Sequence, residues 1–295
     1  MLTFLLDPFR YDFFVRGLIV ATVVGGLCGL VGTFVVLRRM SYIGHGLSHS
    51  VFGGAVISYV MGWNFYLGAG AWGVASAALI GWTARRRQIG ADAAIGIVTT
   101  AAFAIGVAII SRARRFTRNF DAALFGNVLG TTPEDVFVIV GVTVLVLVLI
   151  FFSYKQLLFM TFDPEVAPLY GVPDRGVDAL LSLILAATVI ASMQILGVTM
   201  IAASIVVPAV SARLLTDSFP RMLLLAAAIG VLCGLVGLLL SYYLDVAPGA
   251  TVVLTAASTF LVVLTATSLR RRLRTERARR GAARLNPAQV SDLFD

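Results

Sequence analysis

His45 and His49 are the only two histidines among the 295 residues of this chain, four positions apart in Tyr42-Ile43-Gly44-His45-Gly46-Leu47-Ser48-His49-Ser50. Positions i and i+4 share one face of an α-helix, so both imidazoles can point the same way. Imidazole is the commonest protein ligand for a transition metal, and a polar side chain inside an apolar stretch is costly unless it has a task. Two ligands are too few to hold such an ion by themselves. Spacing alone leaves a second reading open, in which the rings make a hydrogen-bonded contact between helices.

The elements that must position these side chains are apolar. Hydrophobic residues make up 59% of the chain and charged residues 13%. The apolar residues gather into runs of roughly 17–25, the length that crosses about 30 Å of hydrocarbon as a helix. These runs do not alternate, which argues against a β-barrel. The pattern predicts an all-α, polytopic integral membrane bundle. Spans are expected near Phe14–Leu37, Gly44–Val60, Phe65–Trp82, Ala91–Ser111, Asp135–Phe152, Gly176–Ile195, Val198–Leu215, Met222–Tyr243 and Ala250–Ser268. The second and seventh are short, and Gly197 barely separates the sixth from the seventh, so eight or nine transmembrane helices are expected. The first run is itself long enough to span, which speaks against a removable signal peptide.

The net charge of +8 could suit nucleic acid, but its distribution suits a membrane. With nine spans and the N-terminus outside, 17 of the 23 basic residues fall inside, including Arg38, Arg39, Arg85, Arg86, Arg87, Lys155, Arg175, Arg213, Arg221 and eight tail arginines. Cytoplasmic loops carry such an excess. Arg112, Arg114, Arg115 and Arg118 fall outside and break the rule. The chain divides into a transmembrane domain over 1–269 and a basic cytoplasmic tail over 270–295, which anionic lipid would attract.

Cys28 and Cys233 each open the run Cys-Gly-Leu-Val-Gly inside a span. A disulfide framework is not expected there, since free cysteine packs as a small apolar residue. Gly25 and Gly29, like Gly230 and Gly234, have the small-xxx-small spacing that lets helices approach closely. Convergent helix contacts or a remnant of an internal repeat would both explain the recurrence.

Two connections exceed a turn. Arg112–Glu134 contains a short amphipathic piece, Phe120–Gly130, and ends at Thr131-Thr132-Pro133-Glu134, a helix start with threonine near the cap and proline early. Tyr154–Asp174 contains Phe162–Val172, read as a short internal helix with Asp163 as cap, Pro164 at the first position and Gly171 at the exit. Its apolar side chains could meet a partner protein or rest on lipid headgroups. Nucleotide hydrolysis is excluded, because the only lysine, Lys155, lies in Ser-Tyr-Lys-Gln and no phosphate-cradling loop precedes it. A zinc-protease His-Glu-x-x-His is also absent.

Five segments carry a resemblance to a family. Leu37-Arg38-Arg39-Met40-Ser41-Tyr42-Ile43-Gly44-His45-Gly46-Leu47-Ser48-His49 is similar to a stretch of the permeases of zinc/manganese/iron ABC importers. Asp92-Ala93-Ala94-Ile95-Gly96-Ile97, Leu124-Phe125-Gly126-Asn127, Phe162–Val172, and Ala202–Arg213 with Leu240–Thr251 resemble that family in the same order. The resemblance runs from about Arg38 to Leu264.

What the resemblance implies can be placed on this chain. The protein would be a non-enzymatic, multi-pass subunit of a bacterial plasma membrane importer, with Zn2+ or Mn2+ as transported substrate and no permanently bound cofactor. Its partners would be a cytosolic ATPase, an extracytoplasmic metal-binding protein and a second permease copy. His49 matches the family's metal-path histidine, while His45 stands where aspartate is usual. That exchange removes a negative charge and softens the site, favouring zinc over manganese. Further metal contacts are expected from Asp92, Asp245, Ser48, Tyr42 or the second copy. Asp163, Pro164, Glu165, Val166, Ala167 and Gly171 match the short cytoplasmic coupling helix that docks into the ATPase, and Pro208 would bend its span for gating. The rival is an ATPase-independent secondary transporter, which would need intramembrane carboxylate relays. Few carboxylates lie near the spans beyond boundary residues such as Asp92 and Asp178.

Overall fold

The computed structural model describes residues 7–84, 91–113, 124–127 and 130–282. Ten α-helices are found there: α1 (Asp12–Leu37), α2 (Ser41–Met61), α3 (Phe65–Ala84), α4 (Ala91–Ala113), α5 (Pro133–Phe152), α6 (Tyr154–Phe162), α7 (Asp174–Leu196), α8 (Ile201–Leu215), α9 (Phe219–Leu244) and α10 (Pro248–Ala282). Single 3-10 turns occupy Asp7–Arg10 and Ala167–Tyr170. No strand occurs among the described residues. The chain is the expected polytopic helical bundle.

Seven helices are long and apolar enough to cross a membrane: α1, α3, α4, α5, α7, α9 and α10. This differs slightly from the eight or nine expected. The two outside the set are the two read as short. Helix α8 has only 15 residues. Helix α2 has 21, but four serines, four glycines and both histidines dilute its hydropathy. Both are nonetheless built into the bundle, each with a row of buried residues.

Small residues set the tightest crossings. Gly25, Gly29 and Ala21 on α1 meet Gly230, Ala226 and Gly234 on α9, in opposite order, so the two helices run antiparallel. A methyl group on Gly25 would collide with the Gly230 carbonyl, and one on Gly230 with the Gly25 carbonyl. The glycines spaced four apart thus share one close crossing, held by backbone approach where lipid offers no hydrophobic drive between helices, while Gly32 and Gly237 at the ends of the repeated runs face α8 and α10. Helix α4 lies along α2 in parallel: Gly46 faces Ile95 and Thr99, and Gly53 faces Ala102.

Helix starts and stops follow local chemistry. Thr132 caps α5 with its side chain accepting from the Asp135 N–H, and Pro133 occupies the first turn, as the sequence predicts. Phe162–Val172 departs from expectation. Helix α6 ends at Phe162, Asp163 follows it rather than starting a new helix, and only a 3-10 turn forms at Ala167–Tyr170. Pro164 disfavours helical geometry at Asp163, and Pro168 has no N–H to give the Pro164 carbonyl. Gly171 closes the turn at φ +79°, the exit expected of it. Helix α10 runs without a break from the span through Arg270 into the tail as far as Ala282. Most of Phe120–Gly130, together with Arg85, Arg86, Arg87, Arg114, Arg115 and Arg118 and the tail beyond 282, lies outside the described residues.

The helix ends sort into two sets. The end of α1 and the starts of α7 and α9 share one, with Arg38, Arg175 and Arg221; we term it inner. The opposite end gathers the starts of α3 and α5, the end of α7, and Tyr242 beside Asp7.

Candidate functional site

Helix α2 brings the two imidazoles together. The His45 and His49 rings lie 4.7 Å apart, edge to face, and Phe103 of α4 packs on His49 at 5.5 Å. His49 is half-buried, whereas His45 is exposed on the surface of the single chain. The glycines around them explain the placement. Gly46 lets Ile95 and Thr99 press against the helix, so the face carrying the histidines borders α4. Tyr42 is 52% exposed one turn before His45, with its hydroxyl close to Gly96 of α4. Ser48 is buried and donates to the His45 carbonyl at 2.7 Å. Ser50 is also buried, and its hydroxyl has no hydrogen-bond partner.

Asp245 lies apart from this pair. Among the described residues no three His, Cys, Asp or Glu side chains are grouped to hold a metal. Asp92 lies in the first turn of α4, one turn before Gly96, but its side chain is outside the described residues. Asp245 ends α9 in the left-handed region at φ 54°. It lines a cavity of about 410 Å³ at the outer end with Phe14, Asn127, Ser241, Tyr242 and Pro248. That is an acidic, aromatic mouth, separate from the histidines. Pro208 sits buried inside α8, where Ile205 and Ala209 pack on Gly32 of α1.

At the inner end, Phe162–Val172 offers a patch to solvent. Leu169 is 84% and Tyr170 76% exposed, Phe162 and Val166 are exposed too, and Asp163, Pro164 and Glu165 lie beside them. Ala167 is buried and pins the turn: its N–H donates to Asp163 and its carbonyl accepts from Val172. A loop with an exposed apolar tip and two carboxylates can dock a partner protein. Behind it Phe219 packs against Phe162, Tyr154 and Phe34.

Two polar ties escaped sequence reasoning. Asp135 is only 7% exposed. It accepts hydrogen bonds from the Tyr66 hydroxyl (2.7 Å), the Gln194 amide (3.0 Å), and the Thr132 N–H and hydroxyl (2.8 Å each). This joins α3, α5 and α7 at the outer end. Gln194 and Tyr66, isolated polar groups at the margins of apolar runs, were the available signal. The second tie is Arg38 to Asp178 at 2.6 Å, joining the end of α1 to the start of α7.

Known proteins bear on this arrangement. Residues 10–267 match the family model described as the ABC 3 transport family. The chain is 38% identical over 260 residues to the manganese transport system membrane protein MntC of Halalkalibacterium halodurans, covering 88% of this chain and 89% of that one. It is 36% identical to the manganese import system permease protein ScaB of Streptococcus gordonii, covering 85% and 90%. The fold is similar to a solved structure of PsaBC from Streptococcus pneumoniae in complex with Fab, with a TM-score of 0.82 and 34% identity over 89% of this chain and 95% of that one. Matched almost end to end by family, relatives and fold, this multi-pass membrane protein belongs to the ABC 3 transport family of metal permeases.

Proposed function

We propose that this chain is the membrane-spanning subunit of an importer for a divalent transition metal ion, zinc or manganese, driven by ATP hydrolysed on a partner subunit. The observation that carries the metal is the pair of imidazoles 4.7 Å apart on α2. His45 and His49 contact the ion in transit, and their low number keeps the hold weak enough for release. Because His45 is exposed on the single chain, lipid would leave a polar ring in hydrocarbon. A second copy covering that face removes the cost and supplies further ligands, with Asp92 as another. Asp245 greets the cation at the outer mouth, and Pro208 allows α8 to flex.

The ATPase binds at Phe162–Val172, where Leu169 and Tyr170 supply the apolar contact and Asp163 and Glu165 the charge. An extracytoplasmic binding protein delivers the metal to the other end. Nitrogen ligands favour zinc over manganese, which accepts oxygen more readily. The names of the manganese permeases that the chain resembles favour manganese as the second reading.

Uptake in vesicles, with and without the ATPase, tests the proposal. Accumulation of zinc or manganese that requires the ATPase is expected. Accumulation of the same size without it would instead mark a secondary transporter.

A further inference from the structure

The inner end holds a charged pair that the proposed metal path and docking segment do not use. Arg38 ends α1, and its Nη2 donates to the Asp178 Oδ1 at 2.6 Å. The Arg38 side chain is 10% exposed, that of Asp178 44%. The other terminal nitrogen, Nη1, is buried with no hydrogen-bond partner. A guanidinium is built for two parallel bonds to one carboxylate. Held by one, with its second donor buried and idle, it occupies a position that another arrangement of the same groups would satisfy better.

What the pair joins gives it meaning. Asp178 lies just past the first turn of α7, whose start at Asp174 follows the exit of the docking segment at Gly171 by three residues. Arg38 opens the corner between α1 and α2. There Arg39 is forced into the left-handed region at φ 55°, Met40 donates back to the Val35 carbonyl, and Ser41 begins α2. His45 follows at the fifth position of that helix. The docking segment, the ion pair, the strained corner and the histidine helix thus form one connected path. The aromatic contact through Phe219 reaches α1 at Phe34, inside the helix, and bypasses the corner.

We propose that Arg38 and Asp178 are positioning residues that transmit movement of the docking segment to the α1–α2 corner, and so set where His45 and His49 stand. This rests on the function proposed above. When the partner shifts the start of α7, Asp178 draws Arg38 with it, the idle Nη1 gains its bond, and the corner turns α2.

The test uses the full chain reconstituted with its ATPase and binding protein, comparing wild type, Arg38→Gln, Asp178→Asn and the swap Arg38→Asp/Asp178→Arg. Asp178→Asn keeps the shape of a half-exposed group, so it preserves the fold even where loss of buried Arg38 does not. ATPase co-purification and basal ATP hydrolysis are expected to stay at wild-type levels in Asp178→Asn. Metal taken up per ATP is expected to fall about tenfold, with at least half regained in the swap. Unchanged uptake per ATP in Asp178→Asn overturns the proposal. So does a parallel fall in hydrolysis and uptake, the mark of a merely structural bond, or a swap as poor as the single variants. A wild-type complex that takes up no metal with ATP refutes the function proposed above instead, leaving a distinct signature.

Discussion

The two ends of the bundle are held by carboxylates in opposite states. At the outer end Asp135 is buried and saturated, with two donors on each oxygen drawn from α3, α5 and α7. The Leu124–Asn127 segment reinforces that end: Asn127 donates to the Gln194 carbonyl, and Gly126 and Gly197 allow backbone contact that no Cβ would tolerate. At the inner end Asp178 is half-exposed and makes one bond to an arginine that could make two. Beside it lies an exposed apolar loop with a 3-10 turn. Full satisfaction rigidifies a buried network, whereas partial satisfaction leaves it able to rearrange. A saturated network thus ties α3, α5 and α7 at the outer end, and a single bond with one donor unused ties α1 to α7 at the inner end.

Substitutions can break that contrast, beginning with the largest effect. Asp135→Ala orphans the Tyr66 hydroxyl, the Gln194 amide and the Thr132 N–H together, and should cost about 3 kcal/mol. The melting temperature of the purified protein reads this, and a loss within error would show that the outer network holds nothing. Thr132→Ala removes only the cap of α5 and should cost about 1 kcal/mol by the same measurement. At the inner end, Gly171→Ala places a methyl group at φ +79° and should also cost about 1 kcal/mol, with no other clash. Leu169→Ser, at the exposed tip, should change stability by less than about 0.5 kcal/mol yet weaken ATPase co-purification severalfold. An equal affinity for the ATPase would move the docking surface elsewhere.

Much of this was legible in the chain itself because membrane solvation leaves little choice. Apolar runs of spanning length become helices, and the helix ends near Thr132-Pro133 and Gly171 lie where the residue chemistry puts them. The pairing of His45 with His49 follows from helical period alone. Local rules failed where two prolines four apart, Pro164 and Pro168, removed the bonds an α-helix needs. The ties that matter most were hidden because their partners are remote: Asp135 meets Tyr66 and Gln194 at separations of 69 and 59 residues, and Arg38 meets Asp178 at 140. No periodicity reports such pairs. Cys-Gly-Leu-Val-Gly carried a partial signal: the repeated small residues marked two faces that close on each other.

The histidine pair is the centre of the account, and transport by a variant lacking both rings tests it most directly. His45→Ala/His49→Ala, reconstituted with the ATPase and binding protein, should assemble and hydrolyse ATP but take up zinc and manganese at least about tenfold more slowly than wild type. Uptake of both ions at the wild-type rate would place the route through this protein away from α2.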